Sequence, residues 1–128
     1  MSNKKGWVGI DLDGTLAHYD HVWRGPDVIG EPVPPMVDRV KAMLEEGVDV
    51  RIFTARVGGT AAEAAAARPH IEAWCAEHLG RVLPVTDTKD YGMYELWDDR
   101  AVQVVENTGF ALKEHGPSLL GALETLLQ

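Results

Sequence analysis

The apolar positions of this chain fall into short runs and one-sided stripes that alternate along its length. Residues 7–12 read Trp-Val-Gly-Ile-Asp-Leu, a short apolar run suited to a buried strand. Asp13-Gly14-Thr15 follows and reads as a turn. Residues 17–35 carry four Pro, two Gly and two His and predict irregular chain. After Pro34-Pro35, the residues Met36, Val37, Val40, Met43 and Leu44 share one helical face, with Gly47 as the stop. Val48 to Thr54 alternates as a strand does. Gly58-Gly59 predicts a loop, and Thr60 to Glu63 has the spacing of a capping box opening an alanine-rich helix. Pro69 is expected to kink or restart that helix. Ile71, Trp74, Cys75, His78 and Leu79 form the next apolar face, and Gly80 closes it. Val82 to Val85 and Tyr94 to Trp97 predict two further strands. Residues 101–105 fit strand or helix equally. The tail after Pro117 predicts a helix with Leu119, Leu120, Leu123, Leu126 and Leu127 on one side.

Strands alternating with helices predict an α/β fold: a Rossmann-like, doubly wound, mainly parallel sheet with helices on both faces. In such sheets ligands bind beyond the carboxyl ends of the strands. A length of 128 residues fits one domain, residues 1–128, with no room for a large cap; residues 17–35 would form at most a short flap. The formal charge of −8 opposes a non-specific nucleic-acid binder, while leaving room for a nucleic-acid end held locally. No apolar run approaches the roughly 18 residues of a membrane span, and the polar Met1 to Lys5 does not open a signal peptide. One cysteine, Cys75, can make no internal disulfide, which fits a reducing, cytoplasmic location.

The chemistry-bearing residues gather at the predicted strand ends. Asp11-Leu12-Asp13-Gly14-Thr15 ends the first strand, Thr54-Ala55-Arg56 the second, Lys89 follows the third, and Asp98-Asp99 ends the fourth. On one rim, four carboxylates would converge with one lysine and one hydroxyl. Two like charges about 4 Å apart repel by roughly 4 kcal/mol at an effective dielectric of about 20, so the cluster calls for a dication as well as Lys89. Oxygen-only ligands select a hard ion, and Mg2+ is the usual choice where phosphate is also bound. Asp11 and Asp13, two apart in extended chain, share a side, and Gly14 lets the backbone turn away. One carboxylate could attack phosphorus while the other transfers a proton. Thr54 and Lys89 could hold the remaining phosphoryl oxygens.

In this order the motifs resemble the haloacid dehalogenase-like phosphohydrolase superfamily, over about residues 7–105. The resemblance implies Asp11 as nucleophile, Asp13 as general acid/base, and Thr54 and Lys89 as orienting groups. It implies magnesium held by Asp11, Asp98, the backbone carbonyl of Asp13 and, less directly, Asp99. Gly14, Ala55 and Arg56 are the expected substrate contacts. Asp13 points away from the dehalogenase branch, which lacks that acid, and from the transport-ATPase branch, which has Thr there. Phosphomutases keep both aspartates but resemble capped members. A capless site implies a large substrate or closure by a neighbouring subunit, hence a homo-oligomer. The expected substrate is a small phosphomonoester such as a nucleotide or sugar phosphate; the acidity disfavours a nucleic-acid end.

Plain structural roles stand beside these. Asp11 and Asp13 could simply shape a turn. Lys89 and Arg56 could be solvated surface, and Asp98 or Asp99 could cap a helix. His18, Tyr19, His21, Trp23 and Arg24 could form a substrate-gripping flap or an ordinary ordered loop. Trp7, Trp74 and Trp97 are expected in or near the core, Cys75 as a small buried hydrophobe, and His78 in a structural position. A phosphate-accepting signalling module is a second reading, although receivers carry their acidic pair first in the chain rather than last. A catalytically silent binding domain is a third.

Overall fold

The computed structural model describes residues 5–112. Four strands, β1 (Trp7–Ile10), β2 (Asp49–Phe53), β3 (Val85–Thr86) and β4 (Met93–Trp97), form one sheet in the order β3-β2-β1-β4, and every pairing is parallel. Two helices, α1 (Pro34–Glu45) and α2 (Ala61–Leu79), supply the crossovers, with a short 3₁₀ turn at Ala55–Val57. This is the expected α/β, Rossmann-like parallel sheet, with no cap domain among the described residues.

The alternation of β2 decides which way the sheet faces. Val50 and Ile52 join Val8 and Ile10 against Met36, Val37 and Val40 of α1 and Ile71, Trp74, Cys75 and Leu79 of α2, all in one buried cluster. Both described helices thus cover the same face; a helix on the opposite face, expected of a doubly wound sheet, is not among the described residues. Trp7 is buried on the opposite side, where Arg51 lies over its ring at 4.7 Å and Phe53 beside it at 6.5 Å. Among the described residues that side is closed by the chain entering β4 rather than by a helix: the Trp7 indole donates to Asp90 at 2.8 Å. The helix expected after Pro117 lies outside the described residues.

Local signals act as read at several points. Thr60 and Glu63 make both arms of the capping box, at 3.1 Å each. Gly47 and Gly80, both left-handed, follow the two helices. Cys75 is fully buried, and burial pushes its thiol up to about 11, which leaves it an inert hydrophobe. Trp7 and Trp74 are core residues, and Trp97 packs partly against the core.

Three expectations are corrected. Helix α2 runs on through Pro69 without a break. Pro69 is exposed and so is Ala65, whose carbonyl loses its N–H partner to the proline and can turn to water instead. The third strand is only Val85–Thr86, not Val82–Val85; pairing begins where Ile52 donates to the carbonyl of Pro84, which has no N–H to return. Residues 101–105 are neither strand nor helix. They enter a tight antiparallel turn bridged at Val104 and Ala111, with Asn107 and Gly109 left-handed at its tip.

Candidate active site

The chain leaves β1 toward β2 and β3 and returns on the far side as β4. The strand order therefore reverses between β1 and β4, the place where a crevice opens in folds of this kind. The ladder continues past both strands, with the Asp11 amide donating to Trp97 at 2.9 Å. It carries Asp11 beside Asp98 and Asp99.

Beyond Ile10 the chain stops being a strand because the Leu12 carbonyl takes up three amides, those of Thr15, Leu16 and Ala17. Gly14 sits in this turn at φ +90°, and a Cβ there would come 2.7 Å from an Asp99 carboxylate oxygen. Only glycine admits both the dihedral and the approach. The Thr15 hydroxyl lies 3.0 Å from Asp99 Oδ1 and 3.4 Å from Asp11 Oδ2, and accepts from the Asp99 amide at 3.0 Å. Asp98 accepts from the Arg100 amide at 2.7 Å. The result is an oxygen cluster: Asp11, Asp98 and Asp99 each offer a carboxylate oxygen, all within 4.8 Å of one another.

Electrostatics follow from that crowding. Burial first, then a hydrogen bond with Asp99 and the charges of Asp98 and Asp99, push the Asp11 carboxyl up to about 7 from an ordinary 3.8. Burial works the same way on Asp99, but its hydrogen bonds with Asp11 and Thr15 outweigh it and hold this partner below the usual range. Chemically the donor set fits a hard divalent cation: three carboxylates with no sulfur or imidazole among them.

Asp13 stands apart from that cluster. Both of its oxygens accept from Arg56, at 2.8 Å from Nε and 2.8 Å from Nη2, and the Arg56 side chain is only 5% exposed. Arg56 also donates to the Val28 carbonyl at 3.0 Å and lies 4.7 Å from the centre of the Trp23 ring. It thus fastens Asp13 to residues 17–33. That loop is ordered, with closed ends. His18 donates to Glu31, Val33 donates to Leu16, and the Trp74 indole of α2 donates to Gly30. A Cβ on Gly30 would fall 1.9 Å from the His18 carbonyl.

Thr54 is the one buried polar side chain among the described residues, and its hydroxyl accepts from the Arg56 amide at 3.2 Å. Asp11, Asp13, Thr54, Ala55, Arg56 and Asp98 all line one cavity of about 590 Å³. Gly14 serves the turn and the approach of Asp99 instead of lining that cavity. Lys89 does not line it either. Its side chain is exposed in the loop after β3, and the next residue, Asp90, is tied to Trp7 at the amino end of β1. Four residues of strand, about 13 Å, separate that end from Asp11. Arg100, Glu63 and Thr15 are site residues that the sequence reading passed over. Thr15 had a signal, because it sits within the Asp-x-Asp-Gly-Thr turn itself. Arg100 and Glu63 had none, since their approach to the cavity depends on how β4 and α2 pack.

No family model matches this chain, and no curated protein matches it. Among solved structures it is similar to a conserved protein coded by a locus of Bacteroides thetaiotaomicron, at 20% identity and a TM-score of 0.50, covering 77% of this chain and 79% of the other. At that identity the likeness extends to the fold alone.

Proposed function

We propose that this chain is a magnesium-dependent phosphohydrolase that cleaves phosphomonoesters through attack of the Asp11 carboxylate on phosphorus. The observation that carries the reading is the convergence of Asp11, Asp98 and Asp99 within 4.8 Å at the strand-order reversal, beside a cavity large enough for a small substrate. Asp11, Asp98 and Asp99 would hold the ion, with the backbone carbonyl of Asp13 as a further ligand. When bound, the ion supplies positive charge that keeps Asp11 ionised and lets a phosphoryl anion approach.

The residues of the chain do the rest. An Asp11 oxygen forms a bond to phosphorus as the ester P–O bond breaks, and Asp13 gives a proton to the leaving oxygen. Water then attacks the aspartyl-phosphate while Asp13 takes its proton back, releasing phosphate and restoring Asp11. Because both Asp13 oxygens are engaged with Arg56, Asp13 has to exchange one of those bonds for the leaving group. The Thr54 hydroxyl, which accepts from Arg56, can donate to a phosphoryl oxygen. Lys89 is given no part in this step, because its side chain does not line the cavity and its loop is tied to the amino end of β1.

The grip of Arg56 on Asp13 also supports a second reading. With Asp13 held, an aspartyl-phosphate on Asp11 would persist, and the domain would act as a phosphate acceptor. Measuring inorganic phosphate release over nucleotides, sugar phosphates and 3′-phosphorylated oligonucleotides separates the two. We expect turnover with magnesium, loss in excess chelator, and a fall of about a thousandfold or more in Asp11→Asn. Wild-type release from Asp11→Asn would remove the nucleophile assignment, and a stable phosphoprotein without release would favour the acceptor. No helix among the described residues is long and apolar enough to cross a membrane. A reducing, cytoplasmic setting remains part of this proposal.

A further inference from the structure

Beside its charged groups the cavity is lined by apolar and aromatic side chains. Tyr19, Trp23 and Pro26 line it from the flap, while Phe53, Ala66 and Ala67 line it from the sheet and from α2. Three aromatic rings thus face the same cavity as the strand-end carboxylates. Trp23 is 57% exposed, yet it is held in place by the Arg56 guanidinium at 4.7 Å. An exposed indole fixed at the mouth of a reaction site, with a cation already on its ring, offers a stacking surface to a flat ligand. A sugar phosphate would leave most of this lining uncovered.

The charges narrow the ligand further. Asp11, Asp13, Asp98 and Glu63 line the same cavity, with Arg56 and Arg100 as its cations. Each added phosphate or carboxylate on a ligand would meet this acidic excess. The net charge of −8 likewise repels a polynucleotide. We infer that the substrate is a nucleoside monophosphate, its base stacked against Trp23 and Tyr19 of the flap and its phosphate at Asp11. This rests on the phosphohydrolase reading.

The experiment compares AMP, GMP, CMP and UMP with ribose 5-phosphate, with para-nitrophenyl phosphate as a generic aryl ester, in wild type, Trp23→Ala and Trp23→Phe. The expected result is a kcat/KM for the best nucleotide about tenfold or more above that for ribose 5-phosphate, a preference that collapses by about tenfold in Trp23→Ala and survives in Trp23→Phe. Ribose 5-phosphate hydrolysed as well as every nucleotide, or a preference untouched by Trp23→Ala, overturns the inference and leaves the phosphohydrolase reading standing. If none of the esters is hydrolysed, the phosphohydrolase reading fails instead. Calorimetric titration with magnesium present then decides this inference: AMP binding about tenfold tighter than ribose 5-phosphate supports it, and equal affinity overturns it.

Discussion

Asp11 and Asp13 are separated by one residue, yet they belong to regions that handle charge in opposite ways. The Asp11 corner gathers Asp98 and Asp99 around it, relieved in part by the Thr15 hydroxyl and the Arg100 amide, and the Asp11 carboxyl is still pushed up to about 7. The Asp13 side meets its charge internally, through two bonds to the nearly buried Arg56 guanidinium and through Arg56 to the flap. One region crowds like charges with no cation among the described residues bonded to them, and the other already owns one. A protein that merely tolerated acidic residues at a strand end would have no reason to pair one carboxylate so fully while leaving three crowded beside it.

The largest test of that contrast is magnesium itself. At a hundredfold excess over Kd, binding to the folded state alone adds about 2.7 kcal/mol, a rise of several degrees in Tm for a domain of this size. The gain should vanish in Asp98→Asn combined with Asp99→Asn and persist in Asp13→Asn. An equal loss in Asp13→Asn would merge the two regions. Next in size is the pair on the flap side. Arg56→Gln leaves Asp13 without its partner, and Asp13→Asn leaves Arg56 without its own. A double-mutant cycle by chemical denaturation should give a coupling of about 2 kcal/mol. Additive single effects would show the bond to be incidental.

The third test lies in pH. Folding raises the Asp11 carboxyl from 3.8 to about 7, so the folded state binds this proton more tightly than the unfolded chain does. Its contribution to stability is complete below about pH 4 and is lost as pH rises toward about 7. In metal-free protein, the Tm of wild type relative to Asp11→Asn should therefore fall over that interval. Magnesium should flatten the difference, and parallel profiles without metal would contradict the crowding at Asp11. The depressed carboxyls of Glu63 and Asp90 run the other way and are common to both proteins, so the comparison cancels them.

Much of the scaffold was legible in the sequence because it is written locally. The apolar run at residues 7–10, the stripe from Met36 to Leu44, the capping pair Thr60 and Glu63 and the stop at Gly80 each act through neighbours within a few residues. The acidic cluster was legible at one remove, since strand ends of a parallel sheet share a rim. What escaped the reading depends on approach between distant parts of the chain. Nothing around Arg56 says that it will turn back on Asp13, 43 residues earlier. Lys89 illustrates the converse. Its place in the order of motifs fits the resemblance, but chain order does not fix where an exposed side chain points, and the bond from Trp7 to Asp90 draws its loop toward the other end of β1. Pro69 was misjudged because the cost of a helical proline depends on whether the orphaned carbonyl can reach water.

Strand β1 lies between β2 and β4, and its β4 edge is the last to be closed. As the chain emerges from the ribosome, Asp11 and Thr15 are made long before Asp99, which is 84 residues beyond Thr15. A nascent chain holding residues 5–90 could pack α1 and α2 on the sheet, yet it would present an unpaired edge of β1 and no metal corner. The carboxylate cluster in this fold would thus assemble only with β4, so a product truncated before it would lack the proposed ion site.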